Sequence, residues 1–520
     1  MFAAAAAVLV GGFTYAQVLR AGEPLGLDQG LFACFGRWLR DGWLPYRDLF
    51  DSKPPLHLYT WMLAWAGGSP GSAWLFEAVW LAASCTLAFA LARRWWGAWA
   101  GLAAAALLFV GLWTPGLGGY WSRLQAEELL VLPELAAAWF AVSARARPRA
   151  ALACGVLTGV VGLYKIPALA VGGAWLALWI ASMPREPATR RAWLAARAGW
   201  FAAGLTLPWL AASAWFAAHG AFGTFVGATV FYQRHWIAMI DPPWRDVLDQ
   251  FATTAVHALA ALGAAALVGI ALAWRRDRAL AIGLAAWIGL DAVAIVMQRQ
   301  LAGYHFLLLV PGLALAGGHG IVAVGEAART ALSSWRATRE RRAAGAVAGL
   351  AALAVLFTVL FASTLRDWPR AYGSHDPRSY ERGQFSPADE LAVARYLAAH
   401  TRPDDGVLVW ALAPGIYALA DRHPVTRFPF HRLLLTDARL AHAVPGRDAR
   451  RAALLGRMRA DPPAYIVLGV KDANPFEPDS FTSLLAFDAL HQIVQRDYHD
   501  EIRIGHFVLL ARTSRASRAR

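Results

Sequence analysis

Carboxylate, phenol and ammonium side chains lie together in one polar stretch of an otherwise apolar sequence. Asp28 follows the first apolar run, and Tyr46, Asp51 and Lys53 follow in the same stretch. A carboxylate can take a proton from a hydroxyl group, and an ammonium can stabilise negative charge on a phosphate. The simplest alternative for Asp28 is the N-cap of a following helix. These residue types indicate proton transfer beside an anionic group.

Lysine is rare in this chain, which makes its positions informative. Only Lys53, Lys165 and Lys471 occur among 49 basic residues. In a sequence this rich in arginine, a retained lysine suggests that the compact ammonium is needed. Lys53 lies between Asp51 and a Pro-Pro pair that fixes the backbone. Lys165 ends an apolar run, where snorkelling to the membrane surface is the alternative role.

Further polar side chains lie where other apolar runs begin or end. They are Glu127, Glu128, Arg234, Arg299, Tyr304 and His305. A charge at a helix start explains one of the two glutamates, and anchoring at the membrane surface is the simplest role for the rest. Gathered on one membrane face, these cations and carboxylates would suit a lipid phosphate and a hydroxyl nucleophile. No Walker loop, GxGxxG, HExxH, CxxC or GxSxG motif occurs in a usable context.

The elements that must position these residues are membrane helices. Apolar residues make up 58% of the 520 positions and charged residues 16%, against about 45–50% and 25% in soluble domains. Mean hydropathy is +0.40. This composition excludes a soluble enzyme, a disordered chain and a collagen-like chain. It predicts a polytopic α-helical membrane protein.

Apolar stretches of about 17–25 residues predict about 11 transmembrane helices. They lie at roughly 2–19, 72–92, 98–113, 125–143, 150–164, 166–182, 198–218, 251–273, 279–297, 303–324 and 343–364. The short apolar segment 57–67 is either re-entrant or part of a longer second helix. The first span lacks a basic n-region and a cleavage site, so we expect a retained helix rather than a signal peptide.

Arginine placement predicts the orientation. Alternate loops are rich in arginine, notably 93–94, 145–149, 185–197, 275–278 and 329–342, and such loops stay in the cytoplasm. The N-terminus is therefore expected inside a bacterial cytoplasmic (inner) membrane, with the first outer loop (20–56) and everything after 365 outside. The same pattern accounts for the net charge of +14 without nucleic acid as a partner.

Two segments outside the membrane spans carry structure of their own. In the first loop, Leu31, Phe32, Phe35, Trp38 and Leu39 recur at helical spacing, which predicts a helix in the plane of the membrane surface. This helix would hold Asp28 at its start.

The C-terminal segment has no spanning run. Ser386 and Pro387 predict a helix start. GVLVWA (406–411), AYIVLGV (464–470) and IRIGHFVLLA (502–511) predict strands. We therefore expect a transmembrane domain over 1–365 and an extracytoplasmic α/β domain over 366–520.

The first loop resembles that of a known superfamily. A first helix, then Asp28, then GWLPYRDLFDSKPPL (42–56) is similar to the first outer loop of GT-C glycosyltransferases, most of all the family 39/83 type. That type includes the protein O-mannosyltransferases and the lipid A aminoarabinose transferase. The resemblance covers most of the chain, and it continues through QAEE (125–128), GVLTGVVGLYK (155–165), Tyr304-His305 with Pro311, and PGIYALADRHPVTRF (414–428).

The resemblance implies a role for each candidate residue. Asp28 would be the catalytic base, and Lys53 would contact the lipid-linked phosphate. In the mechanism that follows, Arg299, Arg234 or Lys165 would join Lys53 in stabilising the charge on the phosphate. The donor and acceptor site would include Glu127 (less readily Glu128), Tyr304, His305, Asp51 and Tyr46. Many relatives carry a second acid where this chain has Gln29, so a metal-independent single base is favoured over a divalent metal.

The function that follows is an inverting membrane glycosyltransferase. It would move a sugar from a polyprenyl-phosphate donor to a hydroxyl of a glycan, lipid or protein acceptor at the outer membrane face. Inversion is expected because a retaining enzyme needs a second nucleophilic carboxylate. A lipid-linked sugar transporter or flippase is one alternative. Few charges lie within the predicted spans, with Asp291 the main one, and a transporter usually needs more. A non-catalytic membrane scaffold is the other.

Overall fold

The structure is a computed structural model that describes residues 1–234, 242–338, 376–381, 385–429, 435, 446–473 and 478–513. It is mostly helical, with one small sheet in the C-terminal segment. This confirms the predicted fold class, a polytopic helical membrane protein with a C-terminal α/β segment. The predicted span 343–364 and the predicted boundary at residue 365 lie outside the described residues.

The chain divides into two compact units, each assembled from separate segments. The first comprises Met1–Leu19, Glu77–Ser213 and Asp241–Tyr372, and is called the helical unit here. The second comprises Arg20–Phe76, Ala214–Ile240 and Gly373–Arg520, and is called the loop unit. The first loop and the C-terminal segment therefore belong to the same unit.

Six helices in the described residues are long and apolar enough to cross a membrane. They are Phe2–Arg20, Pro70–Trp96, Pro187–Ala218, Trp244–Arg276, Arg278–Met297 and Gly303–Ser334, the last opening with a 3₁₀ turn. Shorter apolar helices are Ala98–Leu112, Ala150–Tyr164, Ile166–Ala181 and Phe222–Tyr232. The predicted span 125–143 is divided into Ala126–Leu129 and Val131–Ser143. Short 3₁₀ turns, Pro115–Leu117 and Gly119–Ser122, precede it.

Small residues set the packing in the helical unit. Trp244–Arg276 packs against Val310–Thr338, which also packs against Ala98–Leu112. A Cβ atom on Gly269 would collide with the Ala316 carbonyl, and one on Gly320 with the Ala265 carbonyl. Lipid offers helices little hydrophobic driving force, so close backbone approach supplies the van der Waals contact that holds them together.

The first loop folds into two helices in the loop unit, Leu27–Leu39 and Pro55–Ala64. The first helix is confirmed, but it is buried on nearly every side rather than along one face. It packs against Pro55–Ala64 and against Gly415–Ala420 of the C-terminal segment. The second helix shows that segment 57–67 is not part of a longer second span. It is a separate helix of 10 residues, about 15 Å long, and too short to cross a bilayer.

The C-terminal segment of the loop unit forms a four-stranded sheet. The strands are β1 (Val407–Trp410), β2 (Tyr465–Gly469), β3 (Tyr498–Ile504) and β4 (Phe507–Arg512), in the order β1-β2-β4-β3. β1 and β2 are parallel, and the other pairs are antiparallel. The helices here are Pro377–Tyr380 (3₁₀), Pro387–His400, Gly415–Ala420, Arg447–Ala460, Ser480–Leu485 and Asp488–Asp497.

Local sequence patterns predict the secondary structure of this segment only in part. Ser386 caps helix Pro387–His400 by accepting the Asp389 N–H at 3.4 Å, which confirms the predicted start. The first two predicted strands are also confirmed. The prediction of one strand over 502–511 is wrong, because the chain reverses there between β3 and β4. Gly505 at the turn has φ +52°, a conformation that favours glycine.

Candidate active site

Asp28 and Lys53 are brought to one face of helix Leu27–Leu39. The helix is capped by Gly26 with no side-chain hydrogen bond, so Asp28 is not its N-cap. Asp28 lies in the first turn and is half-buried. Phe32 is one turn further along the same face. The Lys53 ammonium lies 4.6 Å from the centre of the Phe32 ring, a cation–π contact.

A buried carboxylate lies beside the Lys53 ammonium. Asp51 is only 1% exposed, and its Oδ2 lies 3.9 Å from the Lys53 Nζ. Its Oδ1 accepts the Ser52 N–H at 2.5 Å. The Asp51 carboxylate thus binds a backbone N–H of the loop and lies within ion-pair distance of the Lys53 ammonium.

Tyr46 supports the Lys53 backbone. Its hydroxyl donates to the Lys53 carbonyl at 2.8 Å. The ring is fully buried against Phe216 and Phe225. Burial, and then the nearby charge of Asp51, raises the pKa of Tyr46 well above its usual value, so the phenol stays a neutral donor. The structure therefore places Tyr46 beneath the loop, where it fixes the position of Lys53.

Two other expected residues of the loop unit lie in different settings. Gln29, which replaces the second acid of the motif, is fully buried in its helix. Arg234 is exposed, just after the π-helical turn Gly227–Tyr232. Its neighbour Gln233 donates to the Ser52 Oγ at 2.8 Å. The segment that carries Arg234 is thus tied to the loop that carries Lys53.

The helical unit contains a second polar group. Glu127 is 1% exposed and forms an ion pair with Lys165. The His305 Nε2 lies 3.6 Å from the Glu127 Oε1, and the Tyr304 ring meets the His305 ring edge to face at 4.9 Å. Lys165 therefore points into the protein toward a buried carboxylate rather than snorkelling along its surface.

The other glutamate of the pair serves its own helix start. The Glu128 Oε2 accepts the Leu124 N–H at 2.6 Å. Leu124 has φ +51°, and this bond secures the backbone turn that precedes helix Ala126–Leu129. Glu128 therefore stabilises the start of its helix, and Glu127 belongs to the polar group with Lys165 and His305.

Arg299 is held by its surroundings in the helical unit. Its guanidinium donates to the Pro242 carbonyl at 2.5 Å and lies 4.5 Å above the Trp244 ring. Its backbone is left-handed, with φ +58°. The arginine therefore connects the end of helix Arg278–Met297 to the start of Trp244–Arg276.

Sequence reasoning missed a buried ion pair in the helical unit. Glu77 and Arg123 are almost fully buried, and the Arg123 Nε lies 2.6 Å from the Glu77 Oε2. Each charge needs the other, because an isolated ion in such surroundings is very costly. A signal was present, since Glu77 is a lone acid in the apolar run 72–92, and charges in such runs are rarely without a role.

The arrangement offers a carboxylate and a cation on the same helix face. Asp28 keeps part of its surface accessible, and Lys53 is 27% exposed at its side chain, so both can meet a substrate. Within the described residues no group of three or more His, Cys, Asp or Glu could hold a metal ion. Metal independence stays a prediction.

Comparisons with known proteins agree on the fold. No protein-family model matches the sequence, and no curated protein matches it. The structure resembles ArnT from Cupriavidus metallidurans, solved with undecaprenyl phosphate, at 16% identity and a TM-score of 0.52 over 98% of this chain and 97% of that one. It also resembles the apo oligosaccharyltransferase of Archaeoglobus fulgidus, at 12% identity and 0.53 over 97% and 74%.

A second structure of that archaeal enzyme, tethered to an acceptor peptide with an NVT sequon, matches at 13% identity and a TM-score of 0.51 over 95% and 72%. At these identities the likeness concerns the fold. The chain therefore shares the fold of these structures, as the resemblance of its first outer loop predicts.

Proposed function

We propose that the protein is an integral-membrane glycosyltransferase that moves a sugar from a polyprenyl-phosphate donor to an acceptor hydroxyl. The observation that carries this proposal is the placement of Asp28 and Lys53 on one helix face within a GT-C fold. The ArnT neighbour was solved with undecaprenyl phosphate, and the archaeal neighbour with an acceptor peptide. Both support a lipid-linked donor and a separate acceptor.

The reaction is a single displacement at the anomeric carbon. The acceptor oxygen forms a bond to that carbon as the bond to the phosphate oxygen breaks. Asp28 takes the acceptor proton, and the polyprenyl phosphate leaves with the bonding electrons. Lys53 stabilises the charge that grows on the leaving phosphate. Asp51 and Tyr46 act as positioning residues, because they hold the ammonium and its backbone in place.

The sugar configuration should invert. Retention needs a second carboxylate as a nucleophile about 5 Å from the first. Gln29 is an amide, and Asp51 is 1% exposed and engaged with the Ser52 N–H. The product of a β-linked donor would therefore be α-linked, and NMR of the glycosidic bond tests this.

The reaction takes place at the outer face of a bacterial cytoplasmic membrane in this proposal. The arginine-rich loops favour an N-terminus on the inside, which would put the first loop and the C-terminal segment outside. A second polar group contributes to substrate binding in this proposal, and it comprises Glu127, Lys165, Tyr304 and His305. Further cations are Arg299 and Arg234. The proposed mechanism needs no metal.

The decisive experiment compares wild type with Asp28→Asn in isolated membranes. A pool of polyprenyl-phosphate sugars is added, and sugar-free polyprenyl phosphate is followed by mass spectrometry. We expect release by wild type and loss of release in Asp28→Asn, because an amide cannot accept the proton. The consumed donor would identify the sugar.

The matched control is Asp41→Asn, the same change at an exposed acid just beyond the helix. Asp41 forms an ion pair with the part-buried Arg37, and its variant should keep wild-type release. Equal release by the Asp28 and Asp41 variants would refute the assigned base. A substrate that crosses the membrane chemically unchanged would instead favour a transporter.

A further inference from the structure

The backbone of Lys53 is held on both sides. The Tyr46 hydroxyl donates to the Lys53 carbonyl at 2.8 Å. On the other side, the Gln233 Nε2 donates to the Ser52 Oγ at 2.8 Å and more weakly to the Ser52 carbonyl at 3.4 Å. That carbonyl belongs to the peptide group that precedes Lys53. Both peptide groups that flank Lys53 are therefore engaged, and Pro54 follows with its fixed φ.

Gln233 follows a helix with an unusual turn. Helix Phe222–Tyr232 begins as an α-helix, and its second half, Gly227–Tyr232, is π-helical. A π-turn inserts one residue, so it rotates the side chains that follow by about 100° around the helix axis. Such turns are rare, and they occur frequently at functional sites. The π-turn therefore decides which way the Gln233 amide points.

Aromatic contacts fix this helix against the first loop. Before the π-turn, the Phe225 ring packs against the Tyr46 ring, with their centres 5.6 Å apart. At the end of the turn, the Tyr232 ring meets the Phe50 ring edge to face at 5.3 Å. Gln233 is the next residue and reaches the same loop. The helix is thus anchored on both sides of the turn, and Gln233 adds a polar contact.

We propose that Gln233, aimed by the π-turn, is a positioning residue that holds Lys53 toward the leaving phosphate. This rests on the proposed function. A lysine side chain is a flexible four-carbon stem, so its ammonium stays above the Phe32 ring only where the backbone beneath it is fixed. Gln233 acts through Ser52 and contacts neither donor nor acceptor in this mechanism.

The main test uses the full-length protein in detergent and needs no turnover. An amine-acylating reagent is added, and mass spectrometry follows the labelling rates of the three lysines, Lys53, Lys165 and Lys471. We expect Gln233→Ala to raise the Lys53 rate about fivefold, the factor that corresponds to one lost hydrogen bond. The ammonium would then leave the ring and the carboxylate that favour its charged, unreactive form. The exposed Lys471 and the paired Lys165 should keep their rates.

Matched variants assign the effect to the hydrogen bond. Ser52→Ala should raise the Lys53 rate as Gln233→Ala does, and the double variant should raise it no further, because both changes remove the same contact. Ser52→Thr keeps the hydroxyl acceptor and should label as wild type does. Gln492→Ala makes the same change at an exposed glutamine of the C-terminal segment and should have no effect.

Deletion of Phe231 tests the π-turn itself. Phe231 is 57% exposed within the turn, and its removal takes out the extra residue. The deletion should raise the Lys53 labelling rate as Gln233→Ala does. Phe231→Ala keeps the chain length and should label as wild type does, so the pair separates the turn from the side chain.

Kinetics of donor consumption link the contact to the reaction. The kcat of Gln233→Ala should fall by a similar factor with KM nearly unchanged, and Ser52→Thr should keep wild-type kcat. The proposal is overturned if Gln233→Ala leaves either the Lys53 labelling rate or kcat unchanged. It is also overturned if Lys165 labelling rises equally, because the whole fold would then have loosened. The expected labelling in a protein that consumes no donor would count against the proposed function alone.

Discussion

At the residue scale, the candidate site depends on the contacts that hold Lys53. Lys53 is held from three directions, by the Phe32 ring, the Asp51 carboxylate and the bond from Tyr46 to its carbonyl. Such preorganisation lets the ammonium meet a developing negative charge without first reorganising solvent. Lys165, the other lysine at an apolar boundary, is committed to Glu127. The same residue type thus has an accessible charge in one place and a paired charge in the other.

Replacing Lys53 should affect the chemical step more than substrate binding. We expect Lys53→Ala to lower kcat by roughly 10²–10³, with a smaller rise in KM, because the charge develops in the transition state. Lys53→Arg should recover only part of the rate, since the larger planar group fits the space above Phe32 differently. Steady-state kinetics of donor consumption measures both.

Lys471→Ala is the matched control for this series, because Lys471 is exposed in the C-terminal segment. It should leave both kinetic constants near wild type. A Lys53→Ala enzyme with unchanged kcat and only a raised KM would show that the lysine binds substrate and transition state equally.

At the scale of elements, helix Pro387–His400 brings an acid into the interior of the loop unit. Glu390 is buried, and its carboxylate lies against the backbone of Gly415, where helix Gly415–Ala420 begins. Burial, and then the charge of Asp389, raises the pKa of Glu390 to about 8. This carboxyl group is therefore protonated in the folded protein across much of the neutral range.

The raised pKa predicts how stability changes with pH. Between about 4.5, the ordinary value, and about 8, the folded protein holds the proton and the unfolded chain does not. Folding stability from this group is therefore fully present below pH 4.5 and is lost as the pH rises through 8. Glu390→Gln, which stays neutral, should flatten this part of the profile and be the more stable protein at pH 8.5.

Thermal unfolding of the full-length protein in detergent, from pH 4.5 to 9, measures this difference. Asp389→Asn is a useful companion, because removing that charge should shift the midpoint of the loss to lower pH while keeping its shape. Parallel profiles for wild type and Glu390→Gln would show that Glu390 does not titrate in this range.

At the scale of the whole molecule, neither compact unit is one continuous segment. The loop unit joins the first loop, a middle segment and the C-terminal segment, and the helical unit is likewise built from three segments. Asp28 and Lys53 are therefore positioned in the same unit as the sheet. A C-terminal deletion would remove Gly415–Ala420, one packing partner of helix Leu27–Leu39, and should disturb the first loop as well.

The arginine-rich loops predict the orientation of the chain, and cysteine labelling tests it. In a variant without Cys34, Cys85 and Cys154, single cysteines replace the exposed Arg149 or Arg459. A membrane-impermeant maleimide should label the Arg459 position in intact spheroplasts, and the Arg149 position only after lysis. The reverse pattern would place the first loop and the candidate site in the cytoplasm.

Local patterns in the sequence determined the membrane helices, the Ser386 cap and the first-loop resemblance. Each depends on residues near one another in the chain, such as a sustained apolar run or a serine before a proline. The limit of such reasoning appears at 502–511, where a strand-like run conceals the reversal at Gly505. It appears again in helix Leu27–Leu39, whose apolar stripe gave no sign that helix Gly415–Ala420 covers it.

Only the tertiary structure decided which charges are paired and which stay accessible. Glu77 meets Arg123, and Lys165 meets Glu127, across long separations in the chain. Electrostatic energy depends on distance and on burial, and sequence spacing fixes neither for residues on different elements. The sequence alone therefore determined the class of protein and the candidate residues, and folding decided which of them are buried in pairs and which remain accessible.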